Sequence, residues 1–335
     1  MKAAIFHKPG HLQLEEVKMP EIKEDELLIK VKACGICGTD RHIFKGEAPA
    51  ANNIALGHEL AGIVEKFGTK VTGFKPGDRV VVDPNIFCGE CFYCRQGEVN
   101  LCENLKAVGV TQNGGFAEYV AVPAGNVYLL PESLSFEEGA MVEPVSCCLR
   151  GIDRANIRPG DYVLVLGGGA IGLILAQLAR AAGAAEVFIS EPKEYNRQLA
   201  KNLGFNHVYG PNIIKEKIAE KTQQGVDLVI EAVGSKVTTQ ESFRLIRKGG
   251  TIVIFGVAPE EETVDIYPFD IYKRELTIKG SYVNPFVSER AIKLLAAGKV
   301  NVKPLITDKH SLEKLPELLA EVPSKDSIKS MIVFE

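Results

Sequence analysis

One stretch limits what this chain can fold into more than any other: Tyr162 to Ala179, "YVLVLGGGAIGLILAQLA", eighteen residues without a charge. That length reaches the threshold for crossing a membrane. Its internal order argues for something else. A β-favouring run, "YVLVL", meets three consecutive glycines, which open into "AIGLILAQLARAAG", a segment with helical propensity and a glycine stop at Gly183. The expectation is strand, tight turn, helix. The turn spells Gly167-x-Gly169-x-x-Gly172, with Ala170 and Ile171 inside it. Gly167 permits the sharp turn, Gly169 lets backbone amides approach a pyrophosphate at the helix N-terminus, and Gly172 lets helix pack closely on strand. Alone, such a pattern is weak. Here a strand leads in, a helix leads out, and an acidic residue, Glu191, closes the next strand, "VFISE", where it would accept hydrogen bonds from an adenosine ribose. The predicted ligand is a dinucleotide.

The alternation continues beyond the turn. Helices near 194–203, 213–223 and 238–247 interleave with strands near 207, "VDLVIEA", "GTIVIFG" and "ELTIKGS", the order of a doubly wound parallel sheet over residues 147–284. Residues 1–146 read differently. "KAAIFH", "ELLIKVKACG", "ELAGIVEKFG", "DRVVVDP" and "FAEYVAVPAGNVYLL" are short strands without long intervening helices, with turns marked by Gly68, Gly73, Pro76 and Gly77, as in a compact antiparallel barrel. After the parallel sheet, "NPFVSERAIKLLAAG" predicts a helix with Asn284 as N-cap, Pro285 at its first position and a stop at Gly298. The strand-like "SIKSMIVFE" has no place in a nucleotide fold. Residues 285–335 are therefore expected to return to the first domain. The fold class is a two-domain α/β protein.

Four of the eight cysteines stand within fifteen residues, "CGECFYCRQGEVNLC", Cys88 to Cys102. The start, "MKAAIFHKPG", has no apolar run of signal-peptide length, and a reducing cytoplasm is the expected location. Clustered thiols there are more often metal ligands than disulfides. Cys88, Cys91 and Cys94 follow C-x2-C-x2-C and Cys102 completes a set of four, in a lobe at about 85–104. Four thiolates make a closed zinc site that braces a loop and leaves no place for a substrate. An iron–sulfur cluster is the rival reading. No second cysteine cluster supports electron transfer, which favours zinc. The net charge of −4 offers no footprint for nucleic acid or an acidic membrane surface.

A second metal site can be assembled from scattered residues. "ACGICGTDRH" supplies Cys34, Cys37, Thr39, Asp40 and His42, "GHE" supplies His58 and Glu59, and "VEP" supplies Glu143. Such ligands suit zinc. Taken singly each has a plainer reading: a lone cysteine as a small buried residue, a histidine as a satisfied one, a glutamate as a solvated charge.

In their order along the chain, "CGICGTDRH", "LGHELAGIV", "GDRV", the four-cysteine lobe, "MVEPVSC" and "VLGGGAIGLILAQLARAAGA" resemble the zinc-containing medium-chain dehydrogenase/reductase family, in its sorbitol (polyol) and threonine dehydrogenase branch. The resemblance implies a GroES-like catalytic domain, a Rossmann cofactor domain, one catalytic and one structural zinc per subunit, and a homotetramer or dimer. It implies that Cys37, His58 and Glu59 hold the catalytic zinc, with Glu143 binding the metal or its water. Neighbours on a regular strand point to opposite faces, so His58 and Glu59 both reach one metal only if the backbone bends between them. Otherwise Glu143 is the third ligand. Thr39 and His42 match the family's proton relay, and Val233, Phe255, Gly256 and Val257 its cofactor-contacting strand ends. The implied reaction is oxidation of a secondary alcohol, a polyol or sugar alcohol, to a ketone by hydride transfer from a zinc-bound alkoxide to a nicotinamide. Threonine and simple diols are alternative substrates. A non-catalytic zinc-lobed nucleotide-binding protein and a zinc-free reductase are the rival classes. Glu191 favours NAD+ over NADP+, because a 2′-phosphate would meet its carboxylate as a like charge. Lys193 and Arg197 are nearby cations of the kind NADP-binding members often offer, and both could equally neutralise Glu191 or reach the adenosine phosphates.

Overall fold

The apolar run from Tyr162 to Ala179 breaks where its glycines stand. In the computed structural model, which describes every residue except Pro323, Tyr162–Leu166 is a strand and Ala170–Ala181 a helix. Among the described residues no helix is long and apolar enough to cross a membrane. The chain divides into two units, one of Met1–Ser146, Asn284–Gly298 and Leu305–Glu335, the other of Cys147–Val283 and Lys299–Pro304.

The second unit is built on a six-stranded sheet whose paired strands all run parallel. In spatial order its strands are His207–Tyr209, Glu186–Ser190, Tyr162–Leu166, Val226–Glu231, Ile246–Ile254 and Thr277–Gly280. Numbered along the chain this is 3-2-1-4-5-6, the doubly wound order, in which a ligand crevice opens where the order reverses. The reversal lies between Tyr162–Leu166 and Val226–Glu231, which brings the turn at Gly167 beside the loop at Val233 and Gly234. Helices Ala170–Ala181, Glu194–Asn202, Ile214–Ala219, Lys236–Leu245 and Pro268–Arg274 make the crossovers. Leu164, Phe188, Val229, Ile252 and Leu276 share one buried cluster.

The first unit is organised by the strand Glu26–Gly35. It pairs antiparallel with Glu59–Phe67, with Tyr119–Pro123 and, at its C-terminal end, with Lys329–Val333. Most of its residues are buried, because its inner face joins the core of Phe6, Leu60, Val64, Phe116 and Ile332 while the short helix Phe136–Ala140 packs against the sheet. The final strand thus rejoins the first unit, flanked on its other side by the parallel strand Ile306–His310. Asn85–Ile86 and Lys106–Ala107 form a two-stranded ribbon at the base of the cysteine lobe.

The helix anticipated from Asn284 starts later, at Ser288. Val283 and Phe286 adopt left-handed backbone conformations, φ 47° and 59°, which no helix continues through. Asn284 is fully buried, and its side-chain carbonyl accepts from Asn85 Nδ2 at 2.6 Å instead of capping a helix.

Two glycines of the turn carry different constraints. A Cβ on Gly172 would lie 1.9 Å from the carbonyl oxygen of Gly167, whereas one on Gly169 would meet nothing within 4 Å. Gly172→Ala is therefore expected to lower unfolding stability by ~2 kcal/mol or more, and Gly169→Ala by under ~1 kcal/mol. Denaturant titration of both variants checks the contrast, and equal losses would contradict it.

Candidate active site and metal centres

The cysteine lobe converges on a point. The Sγ atoms of Cys88, Cys91, Cys94 and Cys102 all lie within 4.8 Å of one another. Cys88 and Cys102 are separated by 3.5 Å and Cys88 and Cys94 by 4.0 Å. Disulfides need about 2.05 Å, while a tetrahedron with zinc–sulfur bonds of about 2.3 Å has sulfur–sulfur edges of about 3.8 Å. The observed edges match one enclosed ion, and a polynuclear iron cluster would hold the sulfurs farther apart. The backbone N–H of Cys91 points at Cys88 Sγ and that of Cys88 at Cys102 Sγ. Backbone donors from Glu90 and Cys91 pull the Cys88 thiol down to about 6, whereas desolvation, reinforced by the neighbouring sulfurs, pushes Cys94 up to about 12. The donor set fits a closed zinc site of four thiolates.

The second cluster is assembled from distant parts of the first unit. Cys37 sits at the start of the helix Gly38–Lys45, and its N–H donates to Asp40 Oδ2 at 2.8 Å. The strand Glu59–Phe67 begins one residue after His58, and Gly57 before it takes φ 93°. His58 thus lies outside the regular strand, so the strict alternation of strand neighbours does not extend to it and Glu59. Ligand atoms of Cys37, His58 and Glu59 all lie within 4.8 Å of one another. Room for the Glu59 carboxylate comes from its cross-strand partner Gly35, where a Cβ would lie 2.0 Å from Glu59 Oε2.

Two neighbours of this trio add to the sequence reading, which placed Asp40 among its candidates without a role and did not name Lys329. Asp40 is fully buried and its Oδ1 faces His58 Nδ1 at 3.5 Å, neither atom having a hydrogen-bond partner. A carboxylate behind a ring nitrogen fixes the other nitrogen as the metal-binding one. Lys329 of the last strand is buried, and its Nζ contacts both carboxylate oxygens of Glu59, Oε1 at 2.7 Å. Burial opposes the imidazolium of His58, yet Asp40 and Cys37 outweigh it and hold the group well above the usual range. Burial likewise opposes the Lys329 ammonium, and Glu59 followed by Cys37 raises it. Two buried carboxylates and a thiol thus face one ammonium and one imidazole. A divalent cation on the trio would take the place of the imidazole proton and the Cys37 thiol proton and leave the charges balanced.

Glu143 is half-buried in the first turn of the helix Val142–Ala155 and is not among the three residues whose donors converge. The Thr39 hydroxyl lies 3.6 Å from Cys37 Sγ. His42, one turn along the same helix, is exposed, with Nδ1 2.6 Å from Glu47 Oε2. Cys34 is buried in the core, and burial raises its thiol well above the usual range.

In the second unit, Glu191 stands at the strand end, buried. Its Oε2 accepts the Gly168 N–H at 2.7 Å and its Oε1 the Lys193 N–H at 2.8 Å. Arg197 donates to the carbonyls of Glu191 and Pro192 at 2.8 and 2.6 Å and pairs with Glu194. The loop at Val233 and Gly234 is held by the buried carboxylate of Glu231, which accepts both N–H groups. Gly256 packs against it, since a Cβ there would lie 2.1 Å from Gly234 N. Phe255 packs on Gly151, and Val257 is exposed.

A barrel with a cysteine, histidine and glutamate donor set, in one chain with a dinucleotide-type sheet, defines the class of metal-dependent dehydrogenases of alcohols. Comparison with known proteins agrees. The family described as "Alcohol dehydrogenase GroES-like domain" matches residues 23–132, and that described as "Zinc-binding dehydrogenase" matches residues 170–297. D-arabinitol dehydrogenase 1 of Uromyces fabae is 34% identical over 335 residues, covering 98% of this chain and 96% of the relative. L-threonine 3-dehydrogenase of Pyrococcus horikoshii is 35% identical over 328 residues, covering 92% and 91%. A Sinorhizobium meliloti 1021 protein assigned as a zinc-binding dehydrogenase, with a crystal structure bound to NADP, is 43% identical and superposes with a TM-score of 0.97 over 99% of both chains. The chain belongs to the zinc-containing medium-chain dehydrogenase/reductase family, in its polyol and threonine dehydrogenase branch, and is an oxidoreductase acting on CH–OH donors.

A metal enclosed by all four cysteines of the lobe would have no position left for a substrate. Cys91→Ala is expected to remove one zinc equivalent per subunit and lower stability by ~2 kcal/mol, roughly 5 °C in Tm. Metal analysis with thermal unfolding checks this. A variant that kept its full zinc content, or lost turnover at unchanged Tm, would contradict it.

Proposed function

We propose that this protein is a zinc-dependent, NAD+-linked dehydrogenase that oxidises a secondary alcohol, of the polyol or sugar-alcohol class, to a ketone. The observation that carries the proposal is the convergence of Cys37, His58 and Glu59 on one buried point, with Asp40 behind the imidazole. Three protein ligands leave a metal position open to substrate, the arrangement of catalytic zinc sites. Zinc held there would supply Lewis acidity that lowers the pKa of a substrate hydroxyl. The nicotinamide held by the second unit would accept the hydride.

The remaining roles belong to the chain itself. Asp40 orients His58, and the start of the strand at Glu59 leaves His58 free of the strand's alternation, so two sequence neighbours serve one centre. Thr39 Oγ1, beside Cys37, relays the proton of the substrate hydroxyl, accepting it as it gives up its own hydroxyl proton in the direction of His42. His42, with Nδ1 engaged by Glu47, exchanges that proton with solvent through Nε2. Glu143 is the alternative third ligand, or the residue that holds the metal's water. Cys37→Ala is expected to abolish alcohol oxidation and remove one zinc equivalent while leaving NADH binding intact. Zinc analysis, NADH fluorescence titration and a substrate panel of polyols, diols and threonine read these together. Full turnover in the variant would overturn the metal role of the trio.

For the cofactor, support comes from the strand end. The Glu191 carboxylate is fixed by two backbone N–H groups and retains lone pairs for ribose hydroxyls. Arg197, the cation best placed in sequence to bind a 2′-phosphate, has its donors committed to carbonyls and to Glu194. The NADP-bound relative makes selectivity a sharp test. The wild type is expected to favour NAD+ in kcat/KM by at least about tenfold, since one like-charge contact costs ~1–2 kcal/mol. Glu191→Ala should erode that preference. An NADP+ preference in the wild type, or an unchanged ratio in the variant, would show NAD+ to be the wrong assignment.

A further inference from the structure

We propose that Lys329, delivered by the last strand of the chain, is a positioning residue that competes with the metal for the Glu59 carboxylate and so limits how tightly the Cys37, His58 and Glu59 centre holds its ion. The inference rests on the reading of that trio as a zinc site. Its basis is geometric. Gly35 is paired with Glu59 on one side and with Met331 on the other. A Cβ at Gly35 would lie 2.0 Å from Glu59 Oε2 and 3.1 Å from Lys329 Cε, so the missing side chain forms the notch in which carboxylate and ammonium meet. Both partners are cut off from water, at 1% and 7% exposure. Nζ engages both carboxylate oxygens at once.

The trio therefore has two charged neighbours that act in opposite senses. Asp40, an anion behind His58, makes the imidazole a stronger donor to a metal and fixes its orientation. Lys329, a cation on Glu59, withdraws electron density from the carboxylate and adds a positive charge beside the site of a dication. Removing Asp40 weakens metal retention. Removing Lys329 strengthens it, because a buried carboxylate that loses its ammonium has only the metal to neutralise it. In the metal-free protein the same loss leaves an uncompensated buried charge, so the stripped protein becomes less stable while the loaded one does not.

The test uses full-length protein as wild type, Lys329→Met, Lys329→Gln, Lys329→Arg and Asp40→Asn. Zinc release to excess chelator is followed as two phases, one for the lobe and one for the trio, and Cys91→Ala assigns them. The expected result is that Lys329→Met slows the trio phase about tenfold, the scale of effects from groups that contact metal ligands. The lobe phase should be unchanged, and the Tm difference between loaded and stripped protein should widen. Lys329→Gln, which keeps a hydrogen-bonding head without the charge, should follow Met. Lys329→Arg should behave as wild type, and Asp40→Asn should release zinc faster. Cobalt substituted at the trio should show a changed visible spectrum in Lys329→Met and the wild-type spectrum in Lys329→Arg. Trio release in Lys329→Met as fast as or faster than wild type overturns the proposal, as does slowed release in Lys329→Arg. If Lys329→Met does not fold, Lys329→Gln decides on the same criteria. Wild-type protein with only the lobe zinc would overturn the metal reading and this inference with it, whereas two zincs with an indifferent Lys329 would overturn this inference alone.

Discussion

The first unit depends on the double pairing of the strand Glu26–Gly35. One edge binds Glu59–Phe67, and the other binds Tyr119–Pro123 and then the C-terminal Lys329–Val333. Hydrogen-bond ladders on both edges leave little freedom of register, and the buried face penalises any slip, since a one-residue shift would turn the apolar set outward. Everything proposed for the catalytic centre hangs from the C-terminal end of this strand. Cys37 follows it by two residues, Glu59 faces Gly35, and Lys329 arrives on the strand paired at the other edge. Residues separated by up to 270 positions are thus brought within hydrogen-bonding distance by backbone pairing alone.

The second unit obeys a separate constraint, the close approach of helix Ala170–Ala181 to strand Tyr162–Leu166. Only glycine fits at position 172, because the carbonyl of Gly167 occupies the volume of a Cβ. The opposite wall of the crevice is built the same way: Gly234 and Gly256 lie too close for side chains, and the buried Glu231 carboxylate ties the loop through its N–H groups. Such a carboxylate holds structure. Glu191 differs in standing at a strand end beside the turn that a dinucleotide phosphate would use.

The sequence was legible where the determinants are local. The strand and helix hidden in the apolar run, the alternation that follows and the return of the final strand were readable because periodicity and glycine spacing are short-range signals. The cysteine lobe was readable for the same reason, its four donors lying within fifteen residues. The role of Asp40 and the presence of Lys329 escaped. Asp40 stands inside a quoted motif, but nothing in its neighbours says that it is fully buried against His58. Lys329 lies in an ordinary amphipathic strand, and its meaning depends on a pairing partner near the opposite end of the chain. The question of how His58 and Glu59 could share one centre turned on where the strand begins, at Glu59 and not before, which was invisible without coordinates. The Asn284 cap misled for the converse reason: a side chain with good local propensity was taken by a distant partner, Asn85.

The two candidate metal centres show why legibility and function part company. In the lobe, four like ligands from one short segment enclose a point completely, and local backbone N–H groups soften their mutual repulsion. Such a site can be read from spacing and can do little besides hold a loop. In the trio, unlike ligands come from separate segments, each oriented by a further residue: Cys37 by the helix start, His58 by Asp40, Glu59 by the Gly35 notch and Lys329. A centre with only three protein ligands keeps a position for a substrate, and its charge balance is then set by neighbours that do not touch the metal. Those neighbours must come from elsewhere in the fold, because the segments that supply the ligands are already committed to strand pairing and helix capping. An open metal site is for that reason a tertiary object, and the last strand of the chain belongs to it as much as the motif that first announces it.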